Sequence, residues 1–143
     1  MWNSLFRMAD YRKLRVWQEG HALAISIEEL VEKMRKGSTR DLCDQLSRAA
    51  RSIPTNIAEG SEYESYFQYA RYLQYSLGST SELEEHVQTA RDINAMSYAD
   101  FENLMKRITS ERRQLKRFRE KVLARGEEVK KHRKTRRNKK RKP

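Results

Sequence analysis

Four times along this chain, apolar residues recur at spacings of three and four. Each run is bounded by a glycine, a turn or a capping residue. That period stacks side chains on one face of an α-helix and cannot be reconciled with the alternation of a half-buried strand. The first run is Leu14, Trp17, His21, Ala24, Ile27, Val31 and Met34, predicting a helix from about 13 to 36 that stops at Gly37. The second is Leu42, Leu46, Ala49, Ile53 and Ile57, predicting a helix from about 39 to 59. Ser38 and Asp41 form its capping-box-like start and Gly60 its end.

The third predicted helix spans about 62 to 92, with Ser61 and Glu64 as its capping box. Phe67, Ala70, Leu73, Leu77, Thr80, Leu83 or Glu84, Val87 and Ala90 mark its inner face. The fourth spans about 98 to 125, capped by Ser97 and Asp100, with Phe101, Leu104, Ile108, Leu115, Phe118 and Val122 as its stripe. Nothing reads as a strand, and the links are a few residues long. Short links favour antiparallel neighbours, so the chain is expected to form an all-α, up-down-up-down four-helix bundle. Charged (36%) and hydrophobic (37%) residues are equally abundant, which suits helices with a narrow apolar stripe. With 143 residues the chain has room for one core.

The net charge of +11 is concentrated at the C-terminus, where residues 126–143 hold ten Lys/Arg and only two Glu. The last fourteen residues, KKHRKTRRNKKRKP, contain no acid and no aliphatic side chain. Such a run has nothing to bury and is expected to be disordered alone. It can neutralise phosphates, releasing condensed counterions and making binding steeply salt-dependent. The predicted division is therefore an N-terminal extension (1–12), a bundle (13–125) and a basic tail (126–143). Met8 begins a plausible shorter chain, so residues 1–7 are read as an extension with little structural role.

Within the fourth helix, Lys106, Arg107, Arg112, Arg113, Lys116, Arg117, Arg119, Lys121 and Arg125 outnumber Glu111 and Glu120. Arg113, Lys116, Arg117 and Lys121 share one side at helical spacing. The candidate phosphate-binding residues are Arg112, Arg113, Lys116, Arg117, Arg119, Lys121 and Arg125. In the tail they are Lys130, Lys131, Arg133, Lys134, Arg136, Arg137, Lys139, Lys140, Arg141 and Lys142. Tyr63, Tyr66, Phe67, Tyr69, Tyr72 and Tyr75 do not all fit one buried stripe. Aromatics beside arginines can stack on unpaired bases, although tyrosine also suits subunit interfaces.

Enzymatic motifs are missing: there is no glycine-rich phosphate loop, no H-E-x-x-H and no nucleophile elbow. No catalytic residue, metal ligand or cofactor is expected. His21 falls on an apolar face beside Trp17 and reads as a hydrogen-bonded core residue. His86, one turn after Glu82, reads as half of a solvated helix pair. Cys43 stands alone beside Asp41 and Asp44, which disfavour a thiolate and allow no intramolecular disulfide. That usage fits a reducing cytoplasm. No stretch approaches the roughly 20 apolar residues of a membrane span, and the first ten residues lack a signal-peptide core.

Two residues break local rules. Pro54, inside the second helix, removes the N–H that would pair with the Ala50 carbonyl, so a kink is expected over 50–54. Gly78, among Ser76, Ser79, Thr80 and Ser81, allows close approach of another backbone, within the bundle or between subunits.

The segment SRAARSIPTNIAEGSE, Ser47 to Glu62, resembles the signature of the 23S rRNA intervening-sequence proteins, R-R-A-x-x-S-I-P-x-N-I-A-E-G. Arg48, Ala49, Ser52, Ile53, Pro54, Asn56, Ile57, Ala58, Glu59 and Gly60 match, and Ser47 replaces the first arginine. LRVWQEGHALA, from Leu14, resembles the family's opening helix. YLQYSLGSTSELEEHVQTA, from Tyr72, resembles its third. The resemblance covers about Tyr11 to Val122 and implies a cytosolic bacterial four-helix bundle assembling as a homopentamer. It also implies RNA as partner, with Arg48 and Arg51 as secondary candidates for contact. A related group, the accessory determinants of diversity-generating retroelements, implies an alternative: an adapter that binds a reverse transcriptase and its template RNA.

Overall fold

The computed structural model describes residues 10–34 and 36–141. The N-terminal extension before Asp10, the alternative start at Met8 and the candidate Lys142 lie outside the described residues. A 3₁₀ turn at Tyr11–Lys13 leads into α1 (Arg15–Met34), and a second at Gly37–Thr39 leads into α2 (Arg40–Ser61). Then follow α3 (Tyr66–Asp92) and α4 (Tyr98–Lys139). Successive helices pack together and α1 closes against α4, leaving α2 across the bundle from α4. Among the described residues there is no strand, and no helix is long and apolar enough to cross a membrane. The four-helix, all-α expectation holds.

The core is a single cluster. Ile27, Leu46, Ile53, Ile57, Leu73, Leu83, Ile108 and Leu115 have essentially no exposed surface. Truncating any of them to alanine costs about 2–5 kcal/mol, because the close-packed neighbours refill only part of the void. The buried face of α1 is turned slightly from the predicted stripe. Val16, Gly20, Leu23, Ala24, Ile27 and Val31 are buried, whereas Trp17 is only half-buried. His21 is exposed and stacks flat on Trp17, with centroids 4.7 Å apart, so it is not a core residue.

α1 ends at Met34, and Gly37 opens the following 3₁₀ turn with φ at +63°, a left-handed conformation that favours glycine. Gly60 does not stop its helix. It is buried inside the last turn of α2, where a Cβ would come 2.8 Å from Tyr69 Cδ2 and Tyr72 Cβ. Its hydrogen side chain sets the closeness of α2 to α3. Capping also shifts. The α3 N-cap is Ser65, whose hydroxyl accepts from the Gln68 N–H at 3.3 Å, in place of the predicted Ser61. Thr39, the residue before α2, donates its hydroxyl to the Met34 carbonyl at 2.7 Å. Ser97 caps α4 as expected, accepting from Asp100 N–H at 3.1 Å.

α2 runs through Pro54 without interruption, and hydrogen bonds beside it join α2 to α3. Asn56 Nδ2 donates to the Ser52 carbonyl at 2.9 Å, and the Ser52 and Ser79 hydroxyls share a hydrogen bond of 2.7 Å. Ser76 Oγ donates to the Ile53 carbonyl at 2.9 Å. These bonds form a polar seam between α2 and α3 beside the proline. Among the described residues nothing lies within 4 Å of where a Cβ on Gly78 would stand, so no other described backbone approaches it there.

The largest departure is the C-terminal segment. It was expected to be disordered, yet α4 continues to Lys139, 42 residues in all. After Gly126 no glycine or proline interrupts it until Pro143. Lysine, arginine and glutamate are good helix formers. Arg125 pairs with Glu128 at 3.1 Å, three residues on. Cations at a helix C-terminus also oppose the macrodipole's negative end.

Candidate nucleic-acid interface

α4 divides its side chains by period. Leu104, Ile108, Glu111, Leu115, Val122 and Gly126 face inward. The four cations expected on one side, Arg113, Lys116, Arg117 and Lys121, are all exposed. Other candidates on this helix are held by the bundle. Arg112 is three-quarters buried and donates to the Glu84 carboxylate and, at 3.4 Å, to Thr80 Oγ1. Arg119 Nε donates to the Ala70 carbonyl at 3.1 Å. Arg125 is tied to Glu128. Arg107 donates to Ser26 Oγ at 2.8 Å, joining α4 to α1. The first three anchor α4 to α3 or stiffen its own turn, leaving fewer cations presented to solvent than the sequence offers.

Beyond Val129 the helix leaves the core. Gly126 is buried where α4 crosses the first turn of α3: a Cβ there would stand 3.1 Å from Tyr66 Cβ and 3.2 Å from Phe67 Cζ. Val129 still packs on the core, and from Lys130 to Arg141 every residue is exposed. Lys130, Lys131, Arg133, Lys134, Arg136, Arg137, Lys139, Lys140 and Arg141 therefore project as one cationic rod and its end. The rod's inner edge and the start of α3 enclose an open cleft of about 530 Å³. Its lining includes Glu64, Phe67, Lys130, Arg133, Lys134 and Arg137. Phe67 was expected in the core. The residue is 42% exposed because Tyr66, one residue earlier, takes the buried register position.

Arg48 and Arg51 are exposed on α2, across the bundle from α4, and the fold does not join them to the basic rod. Arg51 Nε lies 3.3 Å from the Ser47 carbonyl and 3.4 Å from Glu28 Oε1. Cys43 is fully buried.

Glu111, counted in the sequence only as an acid among the cations of this helix, is 1% exposed, and neither carboxylate oxygen has a hydrogen-bond partner among the described residues. Burial, and then the neighbouring negative charge of Glu19, push its pKa up to about 8. Glu19 goes the other way: its own burial opposes ionisation, but bonds from Arg15 and Gln114 hold its carboxyl below the usual range.

Chemically, the exposed cations of α4 can neutralise a polyanion along the length of one helix, and the cleft adds an aromatic side chain beside some of them. The family model described as 23S rRNA-intervening sequence protein matches residues 12–117. The matched span ends within α4, before the projecting rod. No curated protein matches the chain.

Proposed function

The chain belongs to the 23S rRNA-intervening sequence protein family, and from that premise we propose a non-enzymatic, self-associating protein that binds RNA through α4. The observation that carries this reading is the continuity of α4. One helix presents Arg113, Lys116, Arg117 and Lys121 and then the cations from Lys130 to Lys139. From residue 113 to 139 the array extends about 40 Å, at ~1.5 Å per residue. Its cations are held at helical spacing, so less freedom is lost on binding than from a flexible chain. RNA is favoured over duplex DNA through the family, since no side-chain pattern here reads base edges.

Self-association is supported by apolar side chains left exposed on the single chain, among them Ile25 and Tyr75, and by the open space at Gly78. In a homopentamer the basic rods would be repeated by symmetry and their fields would add. The adapter reading, with a reverse transcriptase as partner, draws on these same exposed side chains.

The test compares the intact protein with a 1–125 truncation, on structured RNA and on duplex DNA of equal length, across a salt series. RNA preference that weakens on truncation, with a shallower salt slope, supports the proposal. Each lost phosphate contact lowers the slope by about one unit. Unchanged affinity and slope would remove the rod from the mechanism. Equal, weak binding to both polymers would leave a generic polyanion clamp and turn the search to a protein partner.

A further inference from the structure

The cleft between the start of α3 and the projecting part of α4 brings together two things that the rest of α4 keeps apart. One is a cation cluster, Lys130, Arg133, Lys134 and Arg137; among the described lining residues Glu64 is the one acid. The other is Phe67, a large apolar residue left 42% exposed. Gly126 fixes one edge of the Phe67 ring: its Cβ position lies 3.2 Å from Cζ and 3.3 Å from Cε2. Phe67 lines the cleft. Lys130 Nζ lies over its ring, 6.0 Å from the centroid, so a base stacking on that face takes the place of the ammonium, which is then free to meet a phosphate.

A phosphate alone would need only the cations, and an apolar peptide would need only the ring. A nucleotide needs both, one face for its base and positive charge for its flanking phosphates. In a duplex both base faces are covered by neighbouring pairs, so only an unpaired nucleotide can use the ring. The geometry points to a subsite for one unpaired nucleotide of RNA, its base stacked on Phe67 and its phosphates held by Lys130, Arg133 and Arg137. This subsite rests on the RNA-binding reading and adds a preference for single strands to it. The rod by itself has no means of making that distinction. A cleft of about 530 Å³ leaves room for the base without moving the helices.

The experiment uses the full chain, an unstructured RNA of roughly 12 nucleotides, a length typical of single-strand sites, and an RNA duplex of the same length. Phe67→Leu keeps an apolar side chain but removes the aromatic face. It should weaken single-strand binding about tenfold, the equivalent of one lost base stack. Duplex affinity and both salt slopes should stay the same. Phe67→Trp should retain wild-type affinity, and its added tryptophan fluorescence should be quenched by the single strand and not by the duplex. The fluorescence arm guards against a folding defect in the leucine variant. Equal single-strand affinity for Phe67→Leu and wild type, or quenching equal for both RNAs, would overturn the subsite while leaving RNA binding intact. Absence of RNA binding by the wild-type protein would overturn the proposed function as well.

Discussion

The Glu111 carboxylate of α4 lies directly against Gly20 of α1. A Cβ on residue 20 would come within 3.0 Å of Glu111 Oε1 and 3.1 Å of Ile53 Cγ2. Glycine here is what admits an acid into a core that, among the described residues, holds no other buried charged side chain. Among the described residues the acid has no hydrogen-bond partner, so it is most stable there uncharged.

That burial makes stability depend on pH. The folded pKa of Glu111, about 8, lies above the ordinary glutamate value of 4.5. A raised carboxyl binds its proton more tightly when folded. Its contribution is therefore complete below pH 4.5 and lost as pH climbs towards 8. The limiting slope is about 1.4 kcal/mol per pH unit. Glu19, with its lowered pKa, acts in the opposite direction, losing its contribution only as pH falls through the acid range. Glu111→Gln should flatten the neutral-to-alkaline limb and gain roughly 1–3 kcal/mol at pH 9, after allowing for its unpaired amide. Urea titrations at pH 5, 7 and 9 on both proteins measure this. Parallel pH profiles would refute it.

The contact also predicts a coupling. Gly20→Ala should destabilise by about 1–3 kcal/mol, because the methyl group meets Glu111 and Ile53 at once. In a Glu111→Ala background the oxygen is gone and only Ile53 remains. The second substitution should then cost less by about 1 kcal/mol. Additive effects in a double-mutant cycle would mean that the helices move apart to admit the methyl.

Glu111 shows how the sequence can be legible and still be misread. Leu104, Ile108, Glu111, Leu115, Phe118 and Val122 form an unbroken series of spacings of three and four. The period placed Glu111 inside, while its charge suggested the outside. Phe67 is the converse case, since hydrophobicity suggested the core but Tyr66 fits the period of Ala70 and Leu73 better. The four helices were legible because long apolar periods are redundant, so one wrong residue does not move the element. The cleft was not legible, because it joins the start of α3 to a segment some 60 residues later and depends on α4 continuing past its last core residue.

Cations at the surface and cations within the bundle should separate by experiment. Arg112→Ala breaks a part-buried pair with Glu84 and leaves that carboxylate without its partner. It should cost about 1–3 kcal/mol of stability and leave the salt slope of RNA binding unchanged. Replacing Lys116, Arg117 and Lys121 together by alanine should do the reverse, with little change in melting temperature and a slope reduced by about two to three units. A slope altered by Arg112→Ala in a fully folded protein would place that side chain on the RNA.

The projecting rod offers the last prediction, because charge and helical order can be changed separately there. Thr135 lies inside it, its hydroxyl donating to the Lys131 carbonyl at 3.1 Å. Thr135→Pro keeps every cation but removes a backbone N–H and crowds that carbonyl, at a helix cost of ~3 kcal/mol. This exceeds what an exposed terminal segment can absorb, so residues beyond about 131 should unwind. Circular dichroism of the intact variant should show the loss of helix. If the ordered array matters, affinity for single-stranded RNA should fall several-fold, because the RNA must then order the segment, while the salt slope stays nearly constant since the charges remain. If the rod acts only through its charge, neither affinity nor slope will move. A variant that loses helix and keeps its affinity would therefore reduce the continuity of α4 to a property of the free protein.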